Sequence, residues 1–171
     1  MFDLNLDVCT TVARHLIEHP DMRRAERTRI VFNFKNTCQS CFNDIEFPLL
    51  GDFSYGETIF QTTDGQDFYI AILIDNASLD FVSTILKTDS ELKQRKIDPQ
   101  RILAILADKV DGKEFTIHYP ICPICKHEIK HYSDDSKTGE KELPFASWND
   151  FEKLTNDQKI SLIKEAVHRI L

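Results

Sequence analysis

Four of the five cysteines fall into two C-x-x-C pairs, Cys38 and Cys41 in CQSC and Cys122 and Cys125 in CPIC, with 80 residues between them. Cysteines three apart on a tight turn aim two sulfurs at one ion, and two such turns complete the four-thiolate tetrahedron that zinc prefers. Four thiolates also close the site, whereas a catalytic zinc keeps one position open for water. The pairs therefore predict one structural Zn2+ held by Cys38, Cys41, Cys122 and Cys125. Two other chemistries use the same residue types. CPIC has the form of a redox dithiol, but that motif opens a helix whose N-terminus lowers the thiol pKa, and KHEIKHYSDD after Cys125 shows no helix start. A zinc enzyme would need one cysteine off the metal, with HEIK alongside. His127 and His131 would serve as ligands only if CQSC lay elsewhere; on a strand they share a face with Ile129, as ordinary half-exposed residues do. Cys9, near Leu6, Val12 and Ala13 in an apolar helical pattern, reads as a core residue. His15, His19, His118 and His168 read as solvated or hydrogen-bonded side chains.

The elements that position the cysteines are legible on either side of them. Ile30, Phe32 and Phe34 alternate with polar residues before Cys38, and Ile45 and Phe47 follow Cys41; Phe115, Ile117 and Tyr119 alternate before Cys125's pair, and KHEIKHY follows it. Period-two alternation on both sides of a turn predicts two β-hairpins, each tipped by CxxC. These hairpins, residues 29–47 and 114–132, resemble the two knuckles of a zinc ribbon, with an insertion between them much longer than such ribbons carry. The expected fold is one α+β domain over residues 1–171, a small antiparallel sheet with the two hairpins joined by one zinc site and packed against about four helices.

Elsewhere, residues 3–18 read as a helix that stops before Pro20, followed by a basic run with Arg23, Arg24, Arg27 and Arg29. TIFQTT and DFYIAILI flank Asp64-Gly65 and predict an apolar hairpin. Ser78 is the expected N-cap of a helix in LDFVSTILKT. DPQRILAILADKVDG predicts the clearest helix, with Asp98 at the cap, Pro99 in the first turn and Gly112 past the end. SDDSKTGEKELP, residues 133–144, reads as a polar mobile loop. Thr155 and Gln158 have capping-box spacing before a last helix with Ile160, Ile163, Val167 and Ile170 on one stripe. Phe145, Trp148 and Phe151 read as residues that dock it.

Composition narrows the function. At 171 residues, 42% hydrophobic and 29% charged, the chain can bury a core of ordinary size without disulfides. It has no apolar run near the roughly 20 residues of a membrane span and no signal-peptide start, so the expected location is cytoplasmic. It lacks a phosphate-binding glycine loop, HExxH and GxSxG, so the expectation is a protein without enzyme activity. Between Asn36 and Leu86 eight acidic residues stand with no Lys, Arg or His, in a chain of formal charge −7. Such a run suits a basic protein partner, with Asp44, Glu46, Asp52, Glu57, Asp64 and Asp67 as candidate contacts. In general character the chain resembles the immunity proteins of bacterial toxin systems, and that resemblance implies an acidic inhibitor of a basic toxin, nucleases included. The alternative is a zinc-ribbon regulatory protein that contacts nucleic acid through Arg23, Arg24, Arg27 and Arg29.

Overall fold

A computed structural model describes residues 28–51, 55–129 and 136–170. The expected helix over 3–18, Cys9, His15, His19, Arg23, Arg24, Arg27, Asp52 and His131 lie outside the described residues. Within them the chain runs β1 (Thr28–Thr37), β2 (Asp44–Leu49), β3 (Glu57–Thr62), β4 (Phe68–Ile72), α1 (Ala77–Thr88), α2 (Pro99–Ile105), β5 (Phe115–Ile117), β6 (Lys137–Pro144), α3 (Asn149–Glu152) and α4 (Asn156–Ile170). The class is α+β as expected, but the strands form two antiparallel three-stranded sheets, β2-β1-β6 and β4-β3-β5.

Alternation sets the layers. On β3 and β4, Phe60 and Ala71 face α1, α2 and α4, where Val82, Ile102, Leu103, Ile163 and Val167 complete the largest core. Ile59 and Ile70 face the other way and meet Val31 and Leu143 from β1 and β6. The opposite side of β1 and β2, where Phe34 pairs with Phe47 and Asn36 with Ile45, packs on Cys38, Cys122 and Ile129. The order through the molecule is thus helices, sheet β4-β3-β5, sheet β2-β1-β6, cysteine cluster. Thr62 and Gln61 lead into the Asp64-Gly65 turn, where Gly65 takes φ +76°.

Several local expectations change. Residues 137–144 are strand β6, antiparallel to β1, where a loop was expected. Seven of its eight residues are exposed and only Leu143 is buried, so the strand carries almost no apolar alternation. Charges along such an edge guard it against pairing with other chains. The N-cap of α1 is Asn76, whose side-chain oxygen accepts from the Leu79 N–H at 2.9 Å, and Ser78 lies inside the helix. Helix α2 begins at the Asp98 cap and Pro99 but stops at Ile105, well short of Gly112. The indole N–H of Trp148 donates to the Leu103 carbonyl at 2.9 Å, the group that would accept from Ala107, and Ala107 turns to Ala104 instead. Asp108, next along, accepts from Ser147 Oγ and the Asn149 and Asp150 N–H groups, so its carboxylate starts α3. The Thr155–Gln158 capping box forms reciprocally, and Trp148 and Phe151 are buried against the core.

Candidate metal centre

Each CxxC turn is built by the same backbone bonds. The Cys38 N–H donates to the Asn43 carbonyl at 2.9 Å and the Phe42 N–H donates back to the Cys38 carbonyl at 2.9 Å. Eighty-four residues on in the chain, the Cys122 N–H donates to the His127 carbonyl at 2.8 Å and the Lys126 N–H to the Cys122 carbonyl at 2.9 Å. Phe42 and Lys126 both take left-handed backbone, at φ 59° and 61°. That reversal turns the chain back immediately after the second cysteine, so both sulfurs of a pair lie on one side.

The two turns face one another. All four Sγ atoms lie within 4.8 Å of each other, and the Cys38–Cys125 and Cys41–Cys122 separations are both 3.5 Å. Four sulfurs about 2.3 Å from one zinc at tetrahedral angles stand about 3.8 Å apart, which this cluster matches. Cys38 and Cys122 are buried, Cys41 is half-buried and Cys125 is exposed, so the first sulfur of each pair is inside and the second toward solvent. Four sulfurs placed to hold one metal ion are therefore a feature of the fold.

The electrostatics point the same way. The Asn43 side-chain amide, 3.2 Å from Cys41 Sγ, and the Asn43 backbone pull the Cys41 thiol down to about 6. At Cys125 the His127 backbone also acts to lower the value, but burial and the neighbouring sulfurs overcome it and push the thiol up to about 11. Adjacent thiols resist a second negative charge unless a cation is shared between them. A divalent ion held by Cys38, Cys41, Cys122 and Cys125 would supply that charge and favour all four as thiolates.

The strands behind the turns differ. The first knuckle extends from the full β1–β2 ladder. Among the described residues the second has no such ladder over 114–129, and residues 130–132 of the expected hairpin lie outside them. β5 pairs with β3 in the other sheet, and behind the turn the described residues add the Ile121–Glu128 bridge and the Ile129 N–H to the Pro120 carbonyl, 2.7 Å. The alternation of Phe115 and Ile117 serves the helix-facing core, which takes β5 away from the knuckle. His127 is exposed and stands outside the sulfur cluster.

The acidic candidates among the described residues, Asp44, Glu46, Glu57, Asp64 and Asp67, are distributed over both sheets and each has a partner. Lys35 lies 2.8 Å from Asp44, which also accepts from Thr37 Oγ1. Glu46 accepts from Asn33 Nδ2 at 3.1 Å. Arg29 lies 3.4 Å from Glu57, and Lys113 bridges Asp64 and Asp67 at 2.9 and 3.0 Å. The Thr62 hydroxyl and Lys113 hold Asp64 down at about 2. What residue spacing did not disclose is the tips themselves: Phe42, directly after Cys41, is 79% exposed, and Ile124, directly before Cys125, is 62% exposed. No helix among the described residues is long and apolar enough to cross a membrane. No protein-family model, curated protein or solved structure matches this chain.

Proposed function

We propose that this chain is a non-catalytic protein-binding protein, its two knuckles clamped by one structural zinc ion, that acts as an inhibitor of the immunity-protein kind on a basic partner such as a nuclease toxin. The observation that carries the reading is the pairing of a four-sulfur cluster with two large apolar side chains, Phe42 and Ile124, presented to solvent from the turns it would rigidify. A four-thiolate site has no position for a reacting water, which favours a structural role. Exposed apolar residues on a fixed turn are an inexpensive anchor for a partner, since little conformational freedom remains to be lost.

Charge supports a basic partner. Four thiolates against the two positive charges of the ion take the formal net charge from −7 to −9. Asp44 stands two residues from Phe42, so the acidic rim adjoins the apolar tip. The pairing of Asp44, Glu57, Asp64 and Asp67 with Lys35, Arg29 and Lys113 tempers that field, so the acidic residues act on association rate and its salt dependence and the tips on lifetime. Arg29, the one member of the arginine run among the described residues, is engaged with Glu57, and the nucleic-acid alternative would rest on the other three.

The test is affinity capture at moderate salt from the source cells, with Phe42→Ser/Ile124→Ser and Asp44→Lys/Glu46→Lys variants as controls. One stoichiometric basic protein, lost in both variants while their metal content is unchanged, is the expected result. Retained nucleic acid, or a partner indifferent to both variants, overturns the reading.

A further inference from the structure

His118 follows β5, four residues before Cys122, and is half-buried where a ring from each sheet meets it. Its own N–H donates to the Ile59 carbonyl of β3 at 2.8 Å, which fixes it to sheet β4-β3-β5. Its ring meets Phe68 of β4 edge-on, centroids 5.0 Å apart, and Phe47 of β2 at 6.5 Å. Nδ1 is 2.8 Å from Gln61 Oε1, an atom that can only accept, so in the neutral ring the proton sits on Nδ1. Nε2 is left bare and buried, with no hydrogen-bond partner. A second proton would have to enter there.

We propose that His118 is an acid-sensitive latch: as a neutral ring it closes the seam between the two sheets that the second knuckle spans, and a proton on Nε2 loosens sheet β2-β1-β6 and the second knuckle from sheet β4-β3-β5. The inference rests on the seam and is independent of the partner or the metal proposed above.

The Pro48 backbone carbonyl is the support the imidazolium finds, and it is outweighed by burial. β3 brings the uncharged Gln61. β4 brings Phe68, and the preceding Asp67 is tied to Lys113. β2 brings Phe47 and Pro48, with Glu46 bonded to Asn33. β6 brings Lys141, whose ammonium lies over the Phe68 ring, 4.9 Å from its centroid, and adds a like charge. Burial lowers the ring's pKa from 6.5 to about 4, against a smaller opposing effect of the Pro48 backbone carbonyl. A folded-state value below the unfolded one stabilises the fold above pH 6.5, and the stability is lost as pH falls from there toward 4. Between pH 7.5 and 5.0 that difference lowers the folding equilibrium constant roughly 30-fold.

The test is an NMR titration of the His118 ring in the full chain as purified, together with urea unfolding at pH 7.5 and 5.0 of wild type, His118→Phe and Gln61→Glu. Expected are a ring midpoint well below 6.5, a large acid loss in wild type, a much smaller one in His118→Phe, and a smaller one in Gln61→Glu, where a carboxylate beside Nδ1 favours the charged ring. A ring midpoint near 6.5, or an acid loss equal in wild type and variants, overturns the latch. Should His118→Phe not fold, the wild-type titration and Gln61→Glu still decide.

Discussion

Phe42 and Lys126 hold the same place in the two knuckles: each follows its second cysteine, each has left-handed backbone, at φ 59° and 61°, and each donates its N–H to the first cysteine's carbonyl at 2.9 Å. The shared geometry, with unrelated side chains, says that the turn is defined by where it must aim two sulfurs.

The first prediction follows from that aim. The purified chain binds about one zinc, and Cys38→Ser or Cys122→Ser, which remove a buried sulfur, give insoluble or unfolded protein because metal binding and folding are coupled. Native mass spectrometry and circular dichroism before and after chelation check this. A stable, soluble, metal-free wild type is the contrary result.

Left-handed backbone costs a side-chain-bearing residue about 1 kcal/mol relative to glycine, and more for a β-branched one. Lys126→Gly is therefore expected to raise stability by about 0.5–1 kcal/mol and Lys126→Val to lower it by about 1–2 kcal/mol, with metal stoichiometry unchanged. The same substitutions one residue away, at His127, should not show that opposite pair of signs. Urea midpoints of the zinc-loaded variants give the answer.

Trp148→Phe keeps the ring packed near Phe60 but removes the indole donor from the Leu103 carbonyl. A loss of about 1–3 kcal/mol is expected, the penalty for a buried acceptor left without its partner. Hydrogen exchange at Ala107 offers a second readout. Increased protection there would mean that α2 extends by a turn once its carbonyl is free.

Acid should act in two separable windows. Asp64, held at about 2 from a usual 3.8, contributes stability that is present above pH 3.8 and lost as pH falls toward 2. Lys113→Met removes one of its two main supports, so wild type and variant should diverge at neutral pH and converge at the acid end of that range. The step between pH 6.5 and 4 assigned to His118 should be the same in both, which unfolding curves taken at half-unit intervals would resolve.

Much of the metal centre was legible before folding because its information is local. A CxxC turn positions two sulfurs by itself, and two of them at one site need only a long-range meeting, so Cys38, Cys41, Cys122 and Cys125 could be named from spacing alone. The Asp98 cap, the Thr155–Gln158 box and the Asp64-Gly65 turn were legible for the same reason: each is a short-range bond between near neighbours. Local signals failed where a distant group competes for the same backbone. Trp148 ends α2 from 45 residues away. β3 claims Phe115 and Ile117, and so among the described residues the second knuckle keeps a single bridge, Ile121–Glu128. Lys137–Pro144 becomes a strand because β1 has a free edge, with little in its own side chains to announce it.

By itself the amino-acid sequence determined the four thiols that could hold a metal ion, the alternation that makes β1 to β4, and the excess of acid over base, since residue type and spacing carry these directly. The tertiary structure decided which sheet each strand joined, that Asp44, Glu57, Asp64 and Asp67 each meet a cation, that Phe42 and Ile124 point to solvent, and that the half-buried His118 ring meets side chains of both sheets. All of these depend on surfaces brought together from far apart in the chain, where burial and pairing are properties of the assembled layers and of no single segment.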